Sequence, residues 1–149
     1  MKIRTDYVTN SSSSSFILGF NTEDEIDDIL EQLPYYWSEE VKENIVSDIK
    51  NEIISKESAI QDYMERQWFG DGFHGKSYWS LTKQEKESME FQNYKQDQKN
   101  KVAAEIADKL NNYDIISIVT YADDDRLGSE LEHNIMPYLD SVIERMSNH

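Results

Sequence analysis

DIISIVTY, residues 114–121, is the stretch on which the fold turns. Ile115, Ile116, Ile118 and Val119 form a nearly continuous apolar run, as expected of a central strand covered on both faces rather than wetted on one. A second such run, Phe16-Ile17-Leu18-Gly19-Phe20, lies near the start of the chain and reads as another buried strand. Before it, residues 2–8 alternate Ile3, Thr5 and Tyr7 against Lys2, Arg4 and Asp6, again a strand pattern. Between these two lie Thr9, Asn10 and five serines, which would then form the connection of an N-terminal hairpin.

Helical signals fill the rest. Thr22 and Glu25 make a capping box that opens a helix through Ile26, Ile29, Leu30 and Leu33, ended by Pro34. Ser38 caps a second helix with Val41, Ile45, Ile49 and Ile53 on one stripe, and Ile60 and Met64 extend the pattern. A further capping box, Thr82 and Glu85, starts a polar helix, with a break or an exposed bend expected over residues 95–101 because they hold no apolar side chain. Ser129 and Glu132 begin a last helix carrying Leu131, Ile135, Leu139, Val142 and Met146, which Pro137 should kink or split. Residues 66–79 interleave Gly70, Gly72 and Gly75 with Trp68, Phe69, Phe73, Tyr78 and Trp79, a loop with aromatic anchors that either roofs the protein's own core or holds a partner. The fold class is therefore α+β. A small sheet, the N-terminal hairpin plus the strand at 114–121, is covered by about four helices in one domain of 149 residues.

Composition narrows the function classes. The chain has no cysteine, which removes disulfides and thiolate metal sites, and its three histidines lack a zinc-ligand spacing. No secretory leader and no apolar span of the roughly 18 residues a membrane crossing needs is visible, so a cytoplasmic protein without a membrane role is expected. The formal net charge is −15, and residues 22–65 carry most of it, with 14 carboxylates against three lysines. A surface of that sign repels phosphate backbones, so direct nucleic-acid binding is disfavoured unless a local basic patch overrides it, and a basic protein partner is the natural expectation. Glu39, Glu43, Asp48, Glu52 and Glu57 are the candidate contacts. Carboxylates one helical turn apart rise about 5.4 Å, close enough to phosphate spacing for such a row to imitate a nucleic-acid strand in another protein's basic groove.

The alternative chemistry sits elsewhere. Ser11, Ser12, Ser13, Ser14 and Ser15 offer hydroxyls, and successive backbone N–H groups of a tight loop can form an anion-binding nest. Asp123, Asp124 and Asp125 follow the 114–121 strand, with Glu132 and His133 just beyond. If the first strand and the 114–121 strand run parallel, the two groups meet at one sheet end, where ligands collect in open sheets. Such hard oxygen ligands suit Mg²⁺ or Ca²⁺, His133 would serve as acid or base, and a phosphoryl-handling enzyme results. No Walker or nucleophile-elbow pattern accompanies them, and the preferred reading is a binding protein that needs no cofactor.

Two segments carry a resemblance. MKIRTDYVTNSSSSSF at the start, and the final 29 residues from YADDDRLGSELEH to SNH, resemble the ends of a loosely defined group of small Firmicutes and phage proteins that begin with a basic strand and an NSSSSSF motif. The resemblance implies a bacterial or phage origin and a functional part for the serines, and it brings no activity with it.

Overall fold

A computed structural model describes residues 13–122 and 124–147. Its centre is a four-stranded sheet in the order β2-β3-β1-β4, with every pair antiparallel. The strands are β1 (Ser13–Phe20), β2 (Ile53–Ile54), β3 (Ile115–Ala122) and β4 (Val142–Ser147). Around it run α1 (Glu23–Asp27), α2 (Ile29–Gln32), α3 (Glu39–Asn51), α4 (Lys56–Glu65), α5 (Lys83–Glu87), α6 (Met89–Leu110) and α7 (Arg126–Glu130). The α+β class and the central place of the 114–121 run are as expected. The strand expected over residues 2–8, with Ser11 and Ser12, lies outside the described residues.

Both faces of the sheet are covered, which is why β1 and β3 are apolar without strict alternation. Phe16, Leu18, Phe20 and Val119 point to one face and pack with Ile26, Ile29, Ile45, Ile49, Leu131 and Met136. Ile17, Ile116 and Met146 point to the other and pack with Ala59 of α4 and with Ile106 and Leu110 of α6. Gly19 shares that second face because nothing larger fits: a Cβ there would lie 2.5 Å from the Tyr113 ring and 2.6 Å from Ile143 Cδ1. A third, smaller cluster of Phe73, Leu81 and Phe91, with Tyr78 and Tyr94 against it, is built by the aromatic loop and the start of α6.

Four expectations are corrected. Ser13, Ser14 and Ser15 do not belong to a loop, since they open β1. The second helix does not run on through Ile60, because Ile53 and Ile54 break it to form β2 on the edge of β3. Residues 95–101 do not interrupt α6, a continuous helix of 22 residues whose polar middle turns to solvent while Phe91, Ile106 and Leu110 anchor its ends. The last helix is much shorter than its stripe implies. α7 passes into one π turn at Leu131–Ile135 and one 3₁₀ turn at Met136–Tyr138 around Pro137, after which Val142 to Met146 form an edge strand. The helical look of that strand has a cause: its register against β1 shifts between Ile17 and Leu18, so Ile143 is an extra, bulged residue. The bulge turns Val142 to one face of the sheet and brings Ile143 and Met146, three residues apart, to the other.

Candidate functional site

Strand alternation sends the serines to opposite faces, and each meets charge. Ser14 is fully buried; its Oγ donates to Glu132 Oε1 at 3.2 Å and accepts from Arg145 Nε at 3.2 Å and Nη2 at 3.1 Å. Glu132, on the π turn, is 1% exposed, and Arg145 Nη2 lies 3.7 Å from the same Oε1. The guanidinium also lies over the Phe16 ring, 5.6 Å from its centre. On the other face the Ser15 and Thr120 hydroxyls are 2.6 Å apart, and Arg66 Nη1 donates to Ser15 Oγ at 2.9 Å. Arg66 is held in turn by Asp62, 3.3 Å away. The two hydroxyls thus bind the protein's own arginines and acids, so Ser14 and Ser15 do not form an open anion nest.

The meeting of serines and aspartates was expected from parallel strands, and that premise is corrected. β1 and β3 are antiparallel, not parallel, and Ser13 pairs with Ala122, so the start of β1 lies beside the end of β3. Asp123 lies outside the described residues. Asp124 is exposed, and Asp125 caps α7 by accepting the Gly128 N–H at 2.6 Å. His133 is half-exposed, its Nε2 3.8 Å from Glu132 Oε1, beyond hydrogen-bond reach. Among the described residues no group of three or more His, Asp or Glu side chains is placed to hold a metal ion.

The acidic helices present a different geometry from a single row. At about 100° per residue, Glu39 and Glu43 stand within about 40° of one another on α3, while Asp48 lies about 140° further round. Asp48 and Glu52 accordingly line a depression beside Thr120 and Tyr121. Glu57 belongs to α4, on the opposite face of the sheet. The continuous strip of five carboxylates is therefore corrected to separate groups. The larger group joins α3 to α1, where Asp27 and Glu43 line one depression with Lys50. Lys50 Nζ binds Asp27 Oδ1 at 2.8 Å. That hydrogen bond raises the Lys50 pKa above its ordinary value, with further contributions from the charges of Asp27, Glu23 and Asp24. Lys42 Nζ approaches Glu39 Oε1 at 3.7 Å. No other cation of the described residues pairs with this group.

Sequence reasoning missed two features. Arg145 and Arg66, the partners of the serines, sit far off in the chain and carry no local signal. Tyr121 is the other: its hydroxyl is buried with no hydrogen-bond partner among the described residues. Desolvation, then the nearby Asp48 charge, pushes its pKa well above the usual tyrosine range. No described helix is long and apolar enough to cross a membrane. Comparison with protein-family models, with curated proteins and with solved structures finds no match to this chain.

Proposed function

We propose that this chain is a binding protein that captures a basic protein partner through the carboxylates of α1 and the adjoining flank of α3. The observation that supports this reading most directly is the environment of Lys50. One cation lies in the field of Glu23, Asp24 and Asp27, with Glu43 in the same depression, and the surrounding negative charge exceeds what it and Lys42 can offset. A partner that brings lysines or arginines to this flank would meet exposed carboxylates already gathered by the fold, which favours fast, salt-sensitive association. Separation of Glu39 and Glu43 from Asp48 and Glu52 argues for a compact acidic patch over an imitation of a nucleic-acid strand.

Titration with a ten-residue lysine peptide, read by calorimetry at two salt concentrations, tests the patch. Triple reversal E23K/E39K/E43K is expected to weaken binding at least tenfold, and D48K/E52K to change it less than threefold. Equal losses from both variants would mean that net charge alone drives the capture, and the patch would be withdrawn.

A further inference from the structure

Residues 66–101 invert the charge balance of the chain, with seven lysines and arginines against five carboxylates in a protein of net charge −15. Most of those carboxylates are already engaged. Asp71 Oδ1 accepts the Tyr78 N–H at 2.7 Å, Glu85 binds the Thr82 N–H at 3.0 Å and Lys76 at 3.2 Å, and Glu90 meets His74 at 2.9 Å. By contrast Lys83, Lys86, Lys95, Lys99 and Lys101 form no ion pair among the described residues. Lys76 offsets Glu85, which leaves these five lysines against Asp71, Glu87, Glu90 and Asp97, a small positive excess.

The same pole exposes its largest aromatic rings. Phe73, Leu81 and Phe91 close the small core, but Trp68 and Trp79 stay outside it, 58% and 79% exposed. Their rings stack on one another, 16° from parallel with centres 5.9 Å apart, and Tyr78 meets both edge-on. Lysines lie on the neighbouring rings. Lys86 Nζ sits 4.3 Å from the centre of the Tyr78 ring, and Lys99 Nζ 5.8 Å from that of Phe69. Trp68, Phe69 and Lys101 line a groove of about 310 Å³ against α6, with Glu105 also on its wall. Lys95 and Lys99, one turn apart, add a rise of about 6 Å of positive charge along that helix.

We propose that this pole binds single-stranded nucleic acid, with bases stacking on Trp68 and Trp79 and phosphates following Lys95, Lys99 and Lys101. Flat exposed tryptophans beside unpaired lysines form the stacking platform and electrostatic track that sequence-tolerant single-strand binding uses. Lysines beside exposed aromatic rings are the kind of local basic patch that overrides the whole-chain charge. The carboxylates of α1 and α3 do not oppose it strongly. They pack on the other face of the sheet from α6, a sheet and its side-chain layers away, beyond the screening length of about 8 Å at physiological salt.

The full chain is titrated against 5′-labelled decathymidylate, read by anisotropy across a salt series. Saturable binding is expected at low salt. W68A/W79A should weaken it at least tenfold with an unchanged salt slope, since both rings lie outside the core; circular dichroism and melting check that the variant folds. K99A/K101A should flatten the slope of log K against log salt by about 1.4, two phosphate contacts at about 0.7 each. Absence of binding at low salt overturns the proposal. So does a decaglutamate peptide that binds as tightly as the oligonucleotide, which would assign the pole to an acidic protein surface, or a folded W68A/W79A variant with undiminished affinity.

Discussion

Replacing Ser14 by alanine removes one oxygen from the junction of β1, β4 and the π turn, and the cost can be worked from its partners. Two of its three hydrogen bonds come from Arg145, whose side chain is 40% exposed. Water replaces much of what the guanidinium loses. Glu132 is different: at 1% exposure, water does not readily take the place of the donor it loses. A hydrogen bond to a charged acceptor contributes about 1.5–3 kcal/mol, so with the Arg145 share largely recovered the expected loss is about 2 kcal/mol. For a domain of this size that is a fall in Tm of roughly 4–8 °C. Urea unfolding at neutral pH measures it, with midpoint and slope compared to the parent. The carboxylate charge is the decisive element. In an E132Q background, where the acceptor is neutral, S14A should cost only about 1 kcal/mol, in line with an ordinary hydrogen bond. If S14A costs the same in both backgrounds, or less than about 0.5 kcal/mol in the parent, the charged junction does not act as described here.

Tyr121 predicts the opposite sign. A buried hydroxyl without a partner lowers stability, so Y121F should leave the protein as stable as the parent or raise it by up to about 1 kcal/mol; a loss greater than that in urea unfolding would show that the hydroxyl is satisfied. Glu85 gives a pH signature. The backbone N–H of Thr82, then the hydrogen bond from Lys76, holds its carboxyl below the usual glutamate range. A depressed carboxyl stabilises the fold above its unfolded pKa, about 4.3, and that contribution fades as pH falls through the folded value. E85Q should therefore show a shallower fall of the urea midpoint between about pH 5 and 3, and an unchanged pH profile would refute the assignment.

The elements legible in the sequence are those fixed by local chemistry. Thr22 with Glu25, and Thr82 with Glu85, form capping boxes at the helix starts they signal. The Ile115 run is central because β-branched residues without alternation need cover on both faces, and the fold provides it. What the sequence hid depends on contacts between distant residues. β2 is two residues long and exists because Ile53 and Ile54 find Ser117 and Ile116 of β3. β4 is disguised by the bulge at Ile143. The serines looked like a polar loop because five hydroxyls in a row normally stay wet. Here Ser14 and Ser15 are buried, made tolerable by Arg145 and Arg66 from positions 131 and 51 residues away. Their charge partners were invisible until topology supplied them.

The sheet also explains how one small chain can display two surfaces of opposite sign. Helices α1 and α3 cover one face, while α6 covers the other and extends beyond it to carry the aromatic module. Both sheet faces are covered by apolar contacts, so apart from buried groups such as Glu132 the charged residues of each layer lie on the outside, where little but screened solvent couples the two outer surfaces. On the two proposals above, the acidic flank and the basic aromatic pole would take different partners without neutralising one another. A salt series would separate the two: the proposed contacts at either surface should weaken as salt rises, but the proposed stacking on Trp68 and Trp79 should persist where lysine–phosphate attraction has been screened away.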